Sequence, residues 1–447
     1  MKTPHILFLL SNVSEKRYHF SACETRKDRE LQMFKLFVLA GLMTLASLTV
    51  PAVPVASDGV TDSEIILGQS AAFKGTSAAL GSELWRGAAA YFRNVNRQGG
   101  VKGRKIRVVS LDDGYEGKAT ITNTIQLITR DKVFALFGYV GTPTIVKALP
   151  VIQKFSKTGI FLFSDFTGAQ PQREAPHKDY VINIRSSYRQ ETAGLVHNLV
   201  KLGYKKFGVF IQNDAYGQSG ADGVRRALEE HDLEILAEAT YKRGTPYSSS
   251  MERQVQILQD AGVEVVVSIG AYAACAAFIR DMRLSGFRGP IANVSFVGAD
   301  SLLELLLKEE KKQNKKITDR LINSQVVPPW SDTSIPLVKE YREMMDRYQP
   351  RVPDDLRDPN YKPPRYSFVS LEGFLNAKIF VELLKRAPKK LTRSGFIRVV
   401  ESTSNLDAGL GTPVSFSRNK HQGLDSVFFT TIKNGRYVII KNWNDFK

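Results

Sequence analysis

The sequence has almost no cysteine: Cys23 and Cys275 are the only two in 447 residues. That excludes a disulfide framework as the source of stability, so the fold rests on its core. Histidine is nearly as scarce. Beyond the first 32 residues only His177, His197, His231 and His421 remain, far apart, with no HExxH and no paired Cys/His spacing to hold a metal. The chain also lacks a GxSxG elbow, a GxxxxGK[ST] phosphate loop and a GxGxxG turn after its first strand. These absences argue against metallohydrolase, esterase, NTPase and dinucleotide chemistry, and neither a cofactor nor a catalytic group is expected. Asp112 and Asp113 form an acid pair at a strand end, but neighbours on an extended strand point to opposite sides. Their expected role is to build the turn.

What is present is an ordinary globular composition, 43% hydrophobic and 24% charged. A chain of this length and make-up has room for two lobes with separate cores. Near the N-terminus, "MFKLFVLAGLMTLASLTVPAVPVASDG" from Met33 has one basic residue, an apolar run from Leu36 to Leu45 and small residues before Asp58. It reads as a secretory signal peptide over 33–57, with cleavage after Ala52 or near Ala56 and Ser57. Residues 1–32 carry both signs of charge and suit neither a leader nor a folded element, so translation is expected to begin at Met33. The expected destination is the periplasm. Beyond residue 56 there remain 55 Lys and Arg against 41 Asp and Glu. These charges are scattered, and the densest cluster, "KEEKKQNKKITDR" at 308–320, is mixed with acids. It reads as a solvated loop rather than a nucleic-acid surface.

From residue 64 short β-branched runs alternate with amphipathic stretches: "EIILGQSA", "KIRVVSLDD", "VFALFGYV" and "GIFLFSDF" are strands separated by helical patterns. The alternation restarts with "KKFGVFIQND", "LEILAEATY", "VEVVVSIGA" and "RGPIANVSFVG". Strict alternation predicts parallel sheets covered by helices, and so many crossovers predict two α/β lobes rather than one wide sheet. Extended connections at 179–190 and 322–330 link them. The five prolines in 350–365 mark an irregular surface insertion, and Asn434-Gly435 marks a hairpin turn.

Ligands of open parallel sheets sit at the carboxyl ends of strands. Several strand ends here are rich in glycine, hydroxyls and aromatics. In "FGYVGTPT", Thr142 and Thr144 offer hydroxyls and Gly141 close backbone approach, ahead of a helix N-terminus that favours an anion. "FKGTSAALG", "SDFTGAQ", "NDAYGQSG", "GAYA" and "SFVG" have the same character. Half come from each lobe, so the loops can close on a ligand from both sides. Each also has a plainer reading: the threonines as helix caps, Tyr216, Tyr272, Phe166 and Phe296 as packing residues, and Cys275 as core.

The order of "GQSAAFKGTSAALGSELWRGAAAYFRNVNRQGGVKGRKIRVVSLDDGYE", "FGYVGTPT", "FTGA", "VINIRSSYRQET" and "LEGFLNAK" resembles the periplasmic substrate-binding proteins of ABC transporters of the branched-chain amino-acid (Leu/Ile/Val-binding) type. The resemblance runs from about residue 60 to the C-terminus. It implies a type I periplasmic-binding fold, α/β, with two doubly wound parallel-sheet lobes joined by a three-strand hinge. Lobe 1 would hold 58–182 and 330–410, and lobe 2 would hold 183–329 and 411–447. It further implies a small-molecule ligand, a permease partner in the inner membrane and a monomer. Carried over residue by residue, Thr142 with Tyr139 and Thr144 matches the carboxylate loop after the third strand. Phe166, Thr167 and Gly168 match the loop after the fourth. Tyr216 and Tyr272 match the closing aromatics of lobe 2, and Phe73 and Leu80 match the first loop. Where leucine-type binders place a glutamate for the ligand ammonium, this chain has Ser295, Phe296 and Val297. A buried ammonium without a carboxylate is costly, so a carboxylate lacking the amine, and an aromatic one, is the better fit unless Asp214 or Asp300 swings in. The same fold would also serve a sensor signalling to a membrane kinase or chemoreceptor.

Overall fold

The computed structural model describes residues 58–447. The expected upstream segment and signal peptide lie outside the described residues. Two sheets organise the chain. The first has five parallel strands in the order β2-β1-β3-β4-β5, with β1 Glu64–Ala71, β2 Lys105–Asp112, β3 Ala135–Phe137, β4 Leu162–Phe163 and β5 Val181–Ile182. The second has seven, in the order β12-β11-β10-β9-β8-β6-β7. Its parallel part is β6 Phe207–Gln212, β7 Ile235–Tyr241, β8 Val265–Ile269, β9 Ile291–Asn293 and β10 Leu321–Gln325. The hairpin β11 Phe428–Lys433 and β12 Arg436–Ile439 adds antiparallel strands at one edge, turning at Asn434 and Gly435. This is the expected pair of doubly wound α/β lobes.

The strands are buried on both faces because helices cover both: every residue of β3, β6, β8, β9 and β10 is buried, and the largely apolar runs of β6 and β8 need no polar alternation. The first sheet carries helices α1 Ala78–Arg97, α2 Gly117–Thr129 and α3 Thr142–Lys154, and the second carries α4 Tyr188–Lys201, α5 Ala215–Glu229, α6 Glu252–Asp260, α7 Tyr272–Leu284 and α8 Ala299–Gln313. After β10 come α9 Pro336–Tyr348, α10 Phe368–Arg386 and α11 Arg393–Glu401. Phe137, Phe163, Phe380 and Phe396 interlock at ring separations of 5.0–6.2 Å, which ties α10 and α11 into the first sheet's core. In both sheets the strand order reverses beside a central strand, β1 in one and β6 in the other. The loops that follow β1, β3, β6 and β8 therefore flank a crevice at the strand carboxyl ends.

Two sequence expectations are corrected. The stretch 322–330 is not all connection, because Leu321–Gln325 forms β10 between β9 and β11 of the second sheet. The charged stretch 308–320 is not a loop throughout, because α8 runs on to Gln313. The helix stops at Asn314, which takes the left-handed conformation, and Glu310 then gathers the backbone of Ile317 and Thr318 and the Thr318 hydroxyl. Two expectations on side chains hold. Asp112 and Asp113 build the turn after β2: Asp112 accepts from the amides of Phe73 and Gly114, and Asp113 from Tyr115 N, Ser70 Oγ and Thr120 Oγ1. Cys275 is buried in the core, its thiol pushed up to about 12 by burial.

Candidate functional site

Loops from the two sheets meet in a buried aromatic group. Phe296, in a short turn after β9, is at its centre. Its ring lies 4.7 Å from that of Tyr216 at the start of α5, 5.1 Å from Phe166 after β4 and 6.1 Å from Tyr115 after β2. Tyr188, the first residue of α4, lies 5.3 Å from Tyr216. These five rings come from five different loops or helix starts, and separations of this size suit tilted and offset aromatic pairs.

A hydroxyl cluster adjoins the rings. Thr142 Oγ1, at the N-terminus of α3, and Thr167 Oγ1, after β4, are 2.6 Å apart, and Thr167 donates to the Tyr188 hydroxyl at 3.3 Å. Two glycines allow this approach. A Cβ at Gly141, where φ is +101°, would lie 2.1 Å from the Tyr115 ring, and one at Gly168 would lie 2.4 Å from the Tyr188 ring. Burial pushes the Tyr188 hydroxyl up to about 12 and that of Tyr216 well above the usual tyrosine range, so both remain proton donors at neutral pH. At the far end of the group, Gln212 donates to the Tyr115 hydroxyl at 3.3 Å and to Asp214 at 2.7 Å, while Tyr241 donates to the Gln212 oxygen.

Thr142, Phe166, Thr167, Gly168, Tyr216 and Phe296 are thus brought together. Leu80 belongs to the same apolar cluster as the rings, with Tyr272 packed against it, and both flank Gly298: a Cβ there would lie 2.8 Å from Leu80 and 3.4 Å from Tyr272. Phe73 is buried in the same apolar cluster as the five rings. Tyr139 and Thr144 are directed elsewhere. Tyr139 lies in the core of the first sheet with its hydroxyl 3.1 Å from Thr124, because successive residues leaving β3 alternate sides. Thr144 donates to the carbonyls of Val140 and Gly141 from inside the first turn of α3, a local back-bond and not the expected cap, since no side chain caps this helix. Ser295 is anchored behind the rings: its amide and hydroxyl donate to Glu191 at 2.8 and 3.0 Å.

Sequence reasoning missed Tyr115 and Tyr188. Tyr115 was hidden in a turn read as structural, although it follows a strand end and adopts a positive φ of 66°. Tyr188 was hidden in a linker, although Ser187 and Gln190 form the capping box that starts α4 there.

Three acids near the rings, Glu191, Asp300 and Asp214, are engaged, whereas Asp165, the residue before Phe166, is buried with neither carboxylate oxygen in a hydrogen bond, and burial raises its carboxyl to about 6. Glu191 accepts from Ser295, from Ser324 Oγ at 2.6 Å and from Arg185 at 3.0 Å. Asp300 accepts from Trp330 Nε1 at 2.9 Å and the Phe368 amide at 2.7 Å, and burial pushes its carboxyl up to about 7. Asp214 caps α5 through the Tyr216 amide, holds Gln212 and lies 3.6 Å from Arg243. Arg185 itself stacks on Phe166 at 5.0 Å, bonds to Ser295 Oγ and reaches Glu372 of α10 at 3.4 Å, so it links the first lobe's helices to the start of α4. Among the described residues no cluster of three His, Cys, Asp or Glu side chains is placed to hold a metal, and no helix is long and apolar enough to cross a membrane.

The sequence pattern of the family described as "Periplasmic binding protein" matches residues 64–436. The chain belongs to that family. Among solved structures, a possible leucine/isoleucine/valine-binding protein from Rhodopirellula baltica SH 1 is 31% identical, with a TM-score of 0.75 over 86% of this chain and 98% of that one. A fatty acid ABC transporter substrate-binding protein from Thermomonospora curvata is 25% identical, with a TM-score of 0.72 over 86% and 93%. Among curated relatives, an amino acid binding protein of Pseudomonas aeruginosa is 25% identical over 54% of this chain and 62% of its own length. The match thus spans about three-fifths of that relative. By family and fold the chain is a periplasmic binding protein.

Proposed function

We propose that this periplasmic binding protein captures a small organic carboxylate without an α-ammonium group, aromatic or otherwise apolar in its body, and delivers it to an inner-membrane permease. The observation that carries the reading is the pairing of an aromatic group with the Thr142 and Thr167 hydroxyls in a region where Glu191, Asp214 and Asp300 are committed to other partners. The carboxylate is received by Thr142 and Thr167 at the N-terminus of α3, where exposed amides favour an anion. Tyr115, Phe166, Tyr188, Tyr216 and Phe296 enclose the body, with Phe73, Leu80 and Tyr272 at its margin. Lobe 1 comprises 58–182 and 330–410, and lobe 2 comprises 183–329 and 411–447. Contacts to both at once select the closed form, since a ligand held equally in both states shifts nothing. A relative named for fatty acids supports a ligand without an amine, while relatives named for Leu/Ile/Val keep the amino-acid reading in view.

The test is a thermal-shift and calorimetry screen of the exported chain with benzoate-type acids, aliphatic acids and α-amino acids. Stabilisation by acids lacking an amine is expected, by mass action on the folded form. Stabilisation by α-amino acids alone would overturn the reading.

A further inference from the structure

A cavity of about 280 Å³ lies away from the aromatic group, at the hinge. It opens where the segment after β5 runs beside residues 420–423: the Asn183 amide donates to the His421 carbonyl, and Gly423 donates back to Asn183. Its lining holds the cations Arg173, Lys178, Arg418 and Lys420 against one acid, Asp179. Lys420 is paired with Asp425. The side chains of Lys178 and Arg418 make no hydrogen bond or ion pair with the described residues, so two free positive charges face the opening. Deeper in, Asn183 is 1% exposed, and its side-chain oxygen has no partner; Gln170, also in the lining, has a buried oxygen without one. A buried amide oxygen left unpaired is unfavourable.

We infer that this hinge cavity is a binding site for a protonated oxyanion of the phosphate class, either free hydrogenphosphate or a small phosphomonoester in its singly protonated form, which is populated at and below about pH 6. Lys178 and Arg418 balance the charge. The buried, unpartnered amide oxygens of Asn183 and Gln170 call for a donor on the ligand, which hydrogenphosphate supplies through its P–OH and sulfate lacks. Arg173 joins the cavity to the cleft: Nε donates to Gln422, and the guanidinium donates to the carbonyls of Thr167, Ala169 and Arg185. An oxyanion held here therefore braces two hinge segments and the loop that carries Thr167.

Calorimetry on the exported chain at matched ionic strength tests this with phosphate, glycerol 3-phosphate and sulfate as probes. The expected result is saturable binding of phosphate or of the ester, whichever is tighter naming the source, with sulfate at least ten-fold weaker. The Lys178→Glu/Arg418→Glu variant, altered only at side chains without partners, should keep its melting temperature and lose at least ten-fold in affinity. Asn183→Asp, which keeps both cations and sets a buried negative charge against the oxyanion, should also lose at least ten-fold in affinity, with a lower melting temperature. Absence of saturable binding, equal binding of sulfate, or undiminished binding by a folded double variant overturns the inference. None of these outcomes depends on which solute occupies the cleft.

Discussion

The two sides of the cleft are built from the same kind of element and do opposite work. Strand-end loops of the first sheet present hydroxyls and backbone: Thr142, Thr167 and the glycines that let Tyr115 and Tyr188 close in. Those of the second present rings, Tyr216 and Phe296, where a leucine-type binder resembling this chain would carry an acid. The lesson is that the acid has not been lost from the region but turned inward. Glu191 lies directly behind Ser295, yet its oxygens are occupied by Ser295, Ser324 and Arg185. A carboxylate neutralised by a guanidinium and three hydrogen bonds offers little to an incoming ammonium.

The severest way to break the comparison is to cut the link between the sides. Arg185→Met leaves Glu191 and Glu372 buried without their cation, and unfolding in urea should register a loss of about 3–5 kcal/mol. Next, Phe296→Ala removes the centre of the aromatic group. It should weaken solute binding by about 2 kcal/mol or more in calorimetry, as truncation of a central buried aromatic does, while Tyr139→Phe, in the first sheet's core, leaves affinity unchanged. The threonines sharpen the contrast within one loop. Thr142→Ala should cost about 1 kcal/mol of affinity. Thr144→Ala should cost a similar amount of stability, about 1 kcal/mol, through the lost hydrogen bonds to the Val140 and Gly141 carbonyls, with affinity retained.

The gentlest probe is pH. Burial raises the Asp300 carboxyl to about 7, so the folded state holds a proton that the unfolded chain releases near pH 4. Stability from this group is full below about pH 4 and is lost as pH rises through about 7. Asp300→Asn should flatten that part of the stability profile, read from melting temperatures across pH 4 to 8. An unchanged slope would show that the carboxyl titrates no differently when folded.

Much of this was legible in the chain. The β-branched runs marked β1, β6 and β8 because strands buried on both faces carry an unbroken apolar signal. Alternation with helical patterns gave parallel sheets, and the restart gave two lobes. Thr142, Phe166, Thr167, Tyr216 and Phe296 stood out because each follows a strand, where a parallel sheet places its ligands. The failures were of direction and partnership. Tyr139 and Thr144 bracket Thr142 in the same loop, but which side a residue faces on leaving a strand depends on the local backbone. Tyr115 and Tyr188 looked like turn and linker residues, since nothing near them in sequence reports the rings they meet.

The sequence by itself determined the fold class and the strand-end loops, because hydrophobic period and turn residues are local and repeat over many positions. Only the tertiary structure decided which side chains meet. Glu191 and Ser295 are 104 positions apart, and Arg185 and Glu372 are 187 apart. Whether an acid is free to bind an ammonium depends on the partners that folding brings to it, and those partners come from distant strands.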